Sequence, residues 1–322
     1  MTRKILVTGS SGFLGTALVE HFAGLSGTHT VAVSRRAMAH TDSHVTNAVI
    51  ATLDADTQWQ PVLQGVDTVV HAAARVHVMH DTAADPLSLY REVNALGTLN
   101  LARQAASAGV RRFIFISTIK VNGESTGRGQ CFHADDTPAP SDPYAVSKYE
   151  AEQGLMALAK SSAMQVVIIR PVLVYGPGVK ANFLQLMRAL RRGVPLPLGG
   201  VNNARSLVSL DNLIDLIRVC LDHPAAANEV FLVSDGQDLS TRDLANLLKR
   251  HLPASSWLIP VPESLIMLGA TLLGRKSAAE RVLGSLRVDI GKTRERLQWQ
   301  PPVSAEDGLK KTVEHFLVTD RA

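Results

Sequence analysis

Cysteine is scarce: Cys131 and Cys220 are the only two in 322 residues. That leaves no room for a disulfide framework or a thiolate-built metal site. Long apolar runs are lacking too. The longest stretch without Asp, Glu, Lys or Arg covers residues 5–19 and contains three glycines, too short and too glycine-rich for a membrane span of about 20 residues. No block of Lys and Arg stands out, and 33 basic against 29 acidic residues give a net charge of only +4, which argues against a nucleic-acid-binding tail. Met1-Thr2-Arg3-Lys4 leads straight into Ile5-Leu6-Val7, without the apolar region and small-residue cleavage site of a secretory signal. The expected location is the cytoplasm. What the chain does have is 46% hydrophobic and 19% charged residues, enough for a sizeable core. Its length suggests two domains.

Over the first 180 residues, short β-branched runs alternate with helical patterns. Strands are predicted at 4–8, 29–34, 46–53, 68–72, 112–117 and 165–170, and helices at 12–25, 59–63, 86–108 and 143–160. Such alternation predicts an α/β fold: a parallel sheet with helices on both faces. After Tyr175-Gly176-Pro177-Gly178 the texture becomes shorter and richer in Gly and Pro. The expected division is residues 1–178 for a first domain and 179–322 for a smaller region that covers the sheet's end and crosses back to it. The apolar stretch 264–274 is expected to be a packed helix rather than a membrane-surface one.

The first strand runs into Gly9-Ser10-Ser11-Gly12-Phe13-Leu14-Gly15. Gly9 permits a tight turn, Gly12 lets the backbone approach a pyrophosphate, and Gly15 lets the helix pack close to the strand. Phosphates then meet unpaired N–H groups at a helix N-terminus. The fold expected is a Rossmann-type doubly wound sheet holding a dinucleotide. The second strand ends in Ser34-Arg35-Arg36 with no acid. Two guanidiniums there suit the 2′-phosphate of NADP(H), and the absent carboxylate disfavours NAD(H), which remains possible. Thr52-Leu53 ends the third strand, where Leu53 would pack on adenine, and Ala72-Ala73-Ala74 ends the fourth, where small residues would let a cofactor lie close.

Tyr144 and Lys148 are four apart behind Asp142-Pro143, so they share one face of a helix opened by the proline. A neighbouring ammonium lowers a phenol's pKa and makes Tyr144 usable as an acid or base near neutral pH. Thr118 closes the strand Phe113-Ile114-Phe115-Ile116-Ser117, where a doubly wound sheet places catalytic groups.

With these motifs together, the chain resembles an extended short-chain dehydrogenase/reductase of the nucleotide-sugar epimerase/dehydratase family. The likeness rests on Gly9/Gly12/Gly15, Ala72-Ala73, Asn94 in Val93-Asn94-Ala95-Leu96-Gly97-Thr98, Ser117-Thr118, Tyr144/Lys148, Arg170-Pro171 leading to Tyr175-Gly176-Pro177-Gly178, and Trp299-Gln300-Pro301. It implies cofactor contacts from Ser11, Phe13, Leu14, Asn94, Ser117, Lys148, Pro171 and Leu173. It implies substrate contacts from Arg75, Thr118, Lys120, Asn182, Phe183, Arg205 and Arg281, the last four holding a nucleotide diphosphate. Ile119-Lys120 follows Thr118 where the family's 4,6-dehydratases carry an acidic pair, so dehydration is not expected. Residues 75–79 and 117–124 resemble a bacterial surface-polysaccharide branch of UDP-4-keto-6-deoxy-hexosamine reductases, often labelled UDP-glucose 4-epimerases.

The leading expectation is therefore NADPH-dependent reduction of a C4 ketone on a UDP-linked sugar. Tyr144 would supply the proton, Thr118 would orient the oxygen and Lys148 would hold the ribose. The close rival is an NAD-dependent 4-epimerase using the same three residues. A non-catalytic NADP-binding scaffold is the third reading, against which the intact trio speaks. No metal is expected: His71, His77 and His80 are irregularly placed, and Asp135-Asp136 reads as a solvated turn. The resemblance implies a homodimer through residues 86–108 and 144–160, with Ala102, Ala105, Ala106, Ala145 and Ala151 permitting close approach.

Overall fold

The computed structural model describes residues 2–38, 42–76, 85–253 and 256–320. In chain order the first part runs β1 (Arg3–Thr8), α1 (Phe13–Ala23), β2 (Thr28–Ser34), β3 (Val45–Val49), α2 (Gln60–Leu63), β4 (Thr68–His71), α3 (Pro86–Tyr90), α4 (Thr98–Ser107), β5 (Arg112–Ile116), α5 (Pro143–Ser161) and β6 (Gln165–Pro171). There follow β7 (Leu173–Tyr175), α6 (Ala181–Arg191), β8 (Arg205–Ser209), α7 (Leu210–Cys220), β9 (Glu229–Val233), β10 (Asp238–Leu239), α8 (Thr241–His251), α9 (Glu263–Leu272), α10 (Lys276–Leu283), α11 (Gly291–Leu297) and α12 (Ala305–Thr319).

Seven strands form one parallel sheet in the order β3-β2-β1-β4-β5-β6-β9. The order reverses beside β1, which opens a crevice at the carboxyl ends of β1 and β4. The period of two along each strand sorts side chains to two cores. Ile114 of β5 and Val167 and Ile169 of β6 join Leu18, Phe22, Leu213 and Ile217 on one face. Phe113, Phe115, Val166 and Ile168 join Leu101 and Leu155 on the other. This is the doubly wound α/β fold expected from the strand-helix alternation.

β9 brings the later part of the chain back to the main sheet. A second, three-stranded sheet, β10-β8-β7, lies with a third core built from Tyr175, Phe183, Met187, Leu207, Leu248, Leu309 and Phe316.

Three elements differ from expectation. β3 stops at Val49, so Thr52-Leu53 lies in the following turn. The expected helix over 86–108 is interrupted by a π-helical turn, Arg91–Gly97, the kind of bulge that often marks a functional site. A Cβ on Gly97 would lie 2.9 Å from the Leu53 carbonyl carbon, so glycine there lets the helix pass against the β3–α2 turn. Finally α9 forms, but none of its residues is buried. Ala102, Ala105, Ala145 and Ala151 are all fully buried inside the chain. They pack within the subunit and offer no surface to a partner. Among the described residues no helix is long and apolar enough to cross a membrane.

Candidate active site

The turn after β1 fits its glycines. Gly9 has φ +69°, and a Cβ on it would sit 2.8 Å from the Ala73 backbone nitrogen. A Cβ on Gly15 would come within 2.0 Å of the Gly9 carbonyl oxygen. Loop and helix therefore close on each other with no space for a side chain. Ser11 and Gly12 are exposed, Phe13 and Leu14 half-buried, and Gly12 opens α1 without a side-chain cap. The Ser10 hydroxyl is buried without a hydrogen-bond partner. The cradle and this orphaned hydroxyl at the crevice suit a dinucleotide's phosphates.

A buried polar chain fixes the crevice walls. Thr8 Oγ1 lies 2.7 Å from His71 Nδ1, and His71 Nε2 lies 2.9 Å from Thr98 Oγ1. The Ala73 N–H donates to Thr8 Oγ1 at 3.2 Å. Burial, then the Lys148 charge, push the His71 pKa down to about 3, so this imidazole is neutral and structural. No cluster of possible metal ligands occurs among the described residues; His77 and His80 lie outside them. Ala72, Ala73 and Ala74 line the crevice half-buried. Ser34 is buried and donates to the Arg36 carbonyl at 2.5 Å, while Arg35 and Arg36 project into solvent. Thr52 is exposed and Leu53 buried. Pro171 ends β6 buried, and Leu173 is exposed.

Tyr144 and Lys148 lie on the first two turns of α5, which is linked to the segment following β5. Thr118 follows β5, and its Oγ1 accepts from the Lys120 N–H at 3.3 Å. Asp142 caps α5 by accepting from the Ala145 N–H at 2.6 Å, which sets Tyr144 in the first turn and Lys148 one turn later. Lys148 is 1% exposed, and its ammonium lies 3.9 Å over the Phe115 ring of β5. Two links join the strand end to the helix. Lys120 forms an ion pair with Asp142, and Ser117 Oγ donates to Glu152 Oε1 at 2.5 Å. Glu152 is itself gripped by Arg170, whose Nη2 reaches its other oxygen at 2.5 Å.

Electrostatics differ from the sequence expectation in one respect. Burial lowers the Lys148 pKa to about 7, with Glu152 opposing. The protein surroundings, then Asp142 and Tyr90, push the Tyr144 phenol up to about 12. In the chain alone, desolvation outweighs any help from the ammonium, because an amine with a pKa near 7 is half neutral at that pH.

Several predicted ligand contacts have other partners. Asn94 Oδ1 accepts from the Arg75 N–H at 2.8 Å, while its Nδ2 donates to the Arg75 carbonyl and to Ser147 Oγ. It pins the backbone after β4. The Arg75 guanidinium lies 5.4 Å over the Tyr90 ring, which meets Tyr144 edge-on at 6.1 Å. Ser117 turns to Glu152 and not to the crevice. Lys120 is held by Glu124 and Asp142. Phe183 stacks on Tyr175 in the third core, leaving Asn182 exposed beside it. Arg205 Nη1 donates to the Arg281 and Gly284 carbonyls, both at 2.9 Å, and Arg281 bonds its own helix at Ser277. Asp135 pairs with Lys292 at 2.7 Å.

Asp142 and Glu152 were not among the predicted site residues. Both left a sequence signal: Asp142 precedes a first-turn proline as a helix cap does, and Glu152 continues the spacing of four from Tyr144 through Lys148.

A model of the NAD dependent epimerase/dehydratase family matches residues 5–234. The chain belongs to that family. This member is a nucleotide-sugar epimerase/reductase-type enzyme. It is 49% identical to a UDP-glucose 4-epimerase of Vibrio cholerae, over 98% of the chain and 96% of the relative. It is 28% identical to the N-acetyl-alpha-D-glucosaminyl-diphospho-ditrans,octacis-undecaprenol 4-epimerase of Escherichia coli O157:H7, over 89% and 85%. A UDP-glucuronic acid 4-epimerase from Bacillus cereus, solved with NAD, superposes with TM-score 0.77 at 23% identity, covering 98% of this chain and 99% of that one. At that identity the likeness speaks for the fold.

Proposed function

We propose that this enzyme is an NAD-dependent 4-epimerase of a UDP-linked hexose. The observation that carries the reading is the 49% identity, over nearly the full length, to a UDP-glucose 4-epimerase. Residues 1–178 hold the dinucleotide and residues 179–322 the UDP-sugar. Gly9, Gly12 and Gly15 would cradle the pyrophosphate, and Lys148 would hold the nicotinamide ribose. A nicotinamide dinucleotide held there would supply the hydride acceptor and donor that inversion at C4 needs.

The chain's own residues handle the proton. Thr118 Oγ1 orients the substrate's O4. The Tyr144 phenolate accepts the O4 proton as the C4 ketone forms, and gives it back to the opposite C4 configuration. For Tyr144 to act as base its pKa must fall from the value in the chain alone. A protonated Lys148 and the positive charge of an oxidised nicotinamide both favour the phenolate.

Leaving the 4-keto sugar free to turn over requires that no side chain clamp the hexose as it clamps the diphosphate. Arg205, half-buried at the head of β8, suits the diphosphate through the donors it does not give to α10.

The test is incubation with UDP-glucose and no added cofactor, with C4 inversion followed by NMR and bound dinucleotide identified after denaturation. Inversion with bound NAD supports the reading, and absence of both refutes it.

A second reading, NADPH-dependent reduction of a UDP-linked 4-keto-6-deoxy-N-acetylhexosamine in surface-polysaccharide synthesis, has one specific support. Arg35 and Arg36 are exposed directly after β2, with no carboxylate at that strand's end, an arrangement suited to a 2′-phosphate. Stoichiometric NADPH consumption with such a ketone would favour it. Under either reading we place the enzyme in the cytoplasm as a homodimer paired through the helices of residues 86–108 and 144–160, though not through the buried Ala102, Ala105, Ala145 and Ala151, which sedimentation velocity tests.

A further inference from the structure

The segment 117–122, which carries Thr118 and Lys120, is fastened at both ends to one buried ion pair. At its start Ser117 Oγ donates to Glu152 Oε1 at 2.5 Å. At its end Asn122 Oδ1 accepts from Arg170 Nη1 at 2.9 Å. Between these two anchors Arg170 Nε and Nη2 reach the two Glu152 oxygens at 3.0 and 2.5 Å. This is the forked guanidinium–carboxylate geometry that fixes both partners in orientation. Asn122 passes the hold on to the next loop, its Nδ2 donating to the His133 carbonyl at 2.9 Å. Three elements are thereby joined through Glu152: the segment after β5, the helix α5 and the strand β6.

The other neighbour of Glu152 is Lys148, four residues earlier on α5 and so on the same helical face. Every element packed around the Lys148 ammonium can be named. β5 supplies the Phe115 ring beneath it. β4 supplies His71, a neutral imidazole whose own proton affinity Lys148 depresses. α5 supplies Glu152 and, one turn before Lys148, Tyr144, on which Asp142 and Tyr90 act in turn. β6 supplies Arg170, whose charge is compensated by Glu152. Burial drives the ammonium toward its neutral form, and Glu152 is the charge that opposes it.

We propose that Glu152 is a positioning residue for the C4 reaction, holding the Thr118 segment to the helix of Tyr144 and serving as counter-charge to the Lys148 ammonium. The proposal rests on the reading that Thr118, Tyr144 and Lys148 carry out that reaction. Glu152 is 3% exposed and its oxygens are taken by Ser117 and Arg170, so it acts through these neighbours and not on the sugar.

Substitution separates the two roles. Ser117→Ala releases the segment and leaves the ion pair in place. Its kcat should fall about 10-fold with little change in KM, and its pH profile should keep the wild-type limbs. Glu152→Gln keeps an oxygen for Ser117 but removes the charge, so that Lys148 faces an uncompensated Arg170. A cation that loses its counter-charge gives up its proton at lower pH. The alkaline limb of kcat should therefore move acidward by about one pH unit or more. A residue that only stabilised the fold would lower the amount of active enzyme and leave the limb where it is. Glu152→Gln/Arg170→Met, which strands no buried charge, should give the same shift and replaces the single variant if that does not fold.

A second readout needs no turnover. The alkaline rise in stability that Lys148 gives the cofactor-free protein is isolated as the difference from the same chain carrying Lys148→Met. That rise should begin at lower pH in Glu152→Gln than in wild type. An alkaline limb or a stability onset unmoved by Glu152→Gln overturns the proposal, and so does Ser117→Ala with wild-type kcat. If wild type turns over no UDP-sugar, the proposed function fails and the stability onset alone decides on Glu152.

Discussion

Lys120 and Asp142 form an ion pair that ties the end of the strand carrying Thr118 to the first turn of the helix carrying Tyr144. Each lies two residues from its catalytic neighbour. Asp142 divides its work: one oxygen caps α5 and the other meets the ammonium. Lys120→Ala is expected to lower kcat about 10-fold with little change in KM, since orientation is lost while the groups remain. Steady-state kinetics on the purified variant check this.

The same carboxylate gives a pH dependence. Burial would raise the Asp142 pKa, but Lys120 and the cap outweigh it, and the net shift is downward. A depressed carboxyl pKa stabilises the fold above the unfolded value of about 3.9 and loses that contribution as pH falls through the folded value. Asp142→Asn should therefore flatten the acid limb of the melting curve below about pH 4. At neutral pH it should cost about 1 kcal/mol or less, since asparagine caps a helix about as well as aspartate and the loss is that of a partly exposed ion pair.

Lys148 gives the opposite limb. Its pKa is about 7 when folded, against about 10.4 unfolded. Between those values the unfolded chain binds more protons, so stability of the cofactor-free protein should rise from pH 7 toward pH 10. Lys148→Met should remove that rise, as thermal melts across the range will show, and should abolish turnover.

Glu152 and Arg170 pair with only 4% exposure of either side chain. Glu152→Ala leaves a buried guanidinium without its carboxylate and should cost about 3–5 kcal/mol in urea unfolding. Glu152→Gln, which keeps an acceptor oxygen, should cost less.

Gly15→Ala would drive a methyl group to 2.0 Å from the Gly9 carbonyl. The loop must open, and dinucleotide affinity should fall at least ~10-fold by isothermal titration as phosphate contacts of about 1.5–3 kcal/mol are lost. The chain should remain folded, because the strain is confined to one turn.

The fold, and the placing of Thr118 after β5 and of Tyr144 and Lys148 one turn apart on α5, were legible because local rules carry them. Unbroken apolar runs such as Phe113–Ile116 dictate a strand buried on both faces, and Asp142-Pro143 dictates where α5 begins. The glycine spacing dictates a turn that no side chain can enter. Partners distant in sequence were less legible. Ser117 and Asn94 carry family motifs, yet their side chains bond Glu152 and the Arg75 backbone, pairings set by packing between elements. Phe183 is drawn into the third core by Tyr175, eight residues earlier. The Lys148 and Tyr144 pKa values depend on desolvation, which spacing does not report. The exposure of α9 was misread because an apolar run of that length specifies a helix and leaves open which side, if any, it buries.

The central claim is that Tyr144 moves the O4 proton during inversion at C4. It is tested most directly by following UDP-glucose by NMR with wild type and Tyr144→Phe side by side, with no cofactor added. Wild type should carry the sugar to its epimer at equilibrium without net consumption of cofactor. Tyr144→Phe, equally folded, should be slower by about 10²–10⁴-fold. Inversion by Tyr144→Phe at near wild-type rate would contradict it.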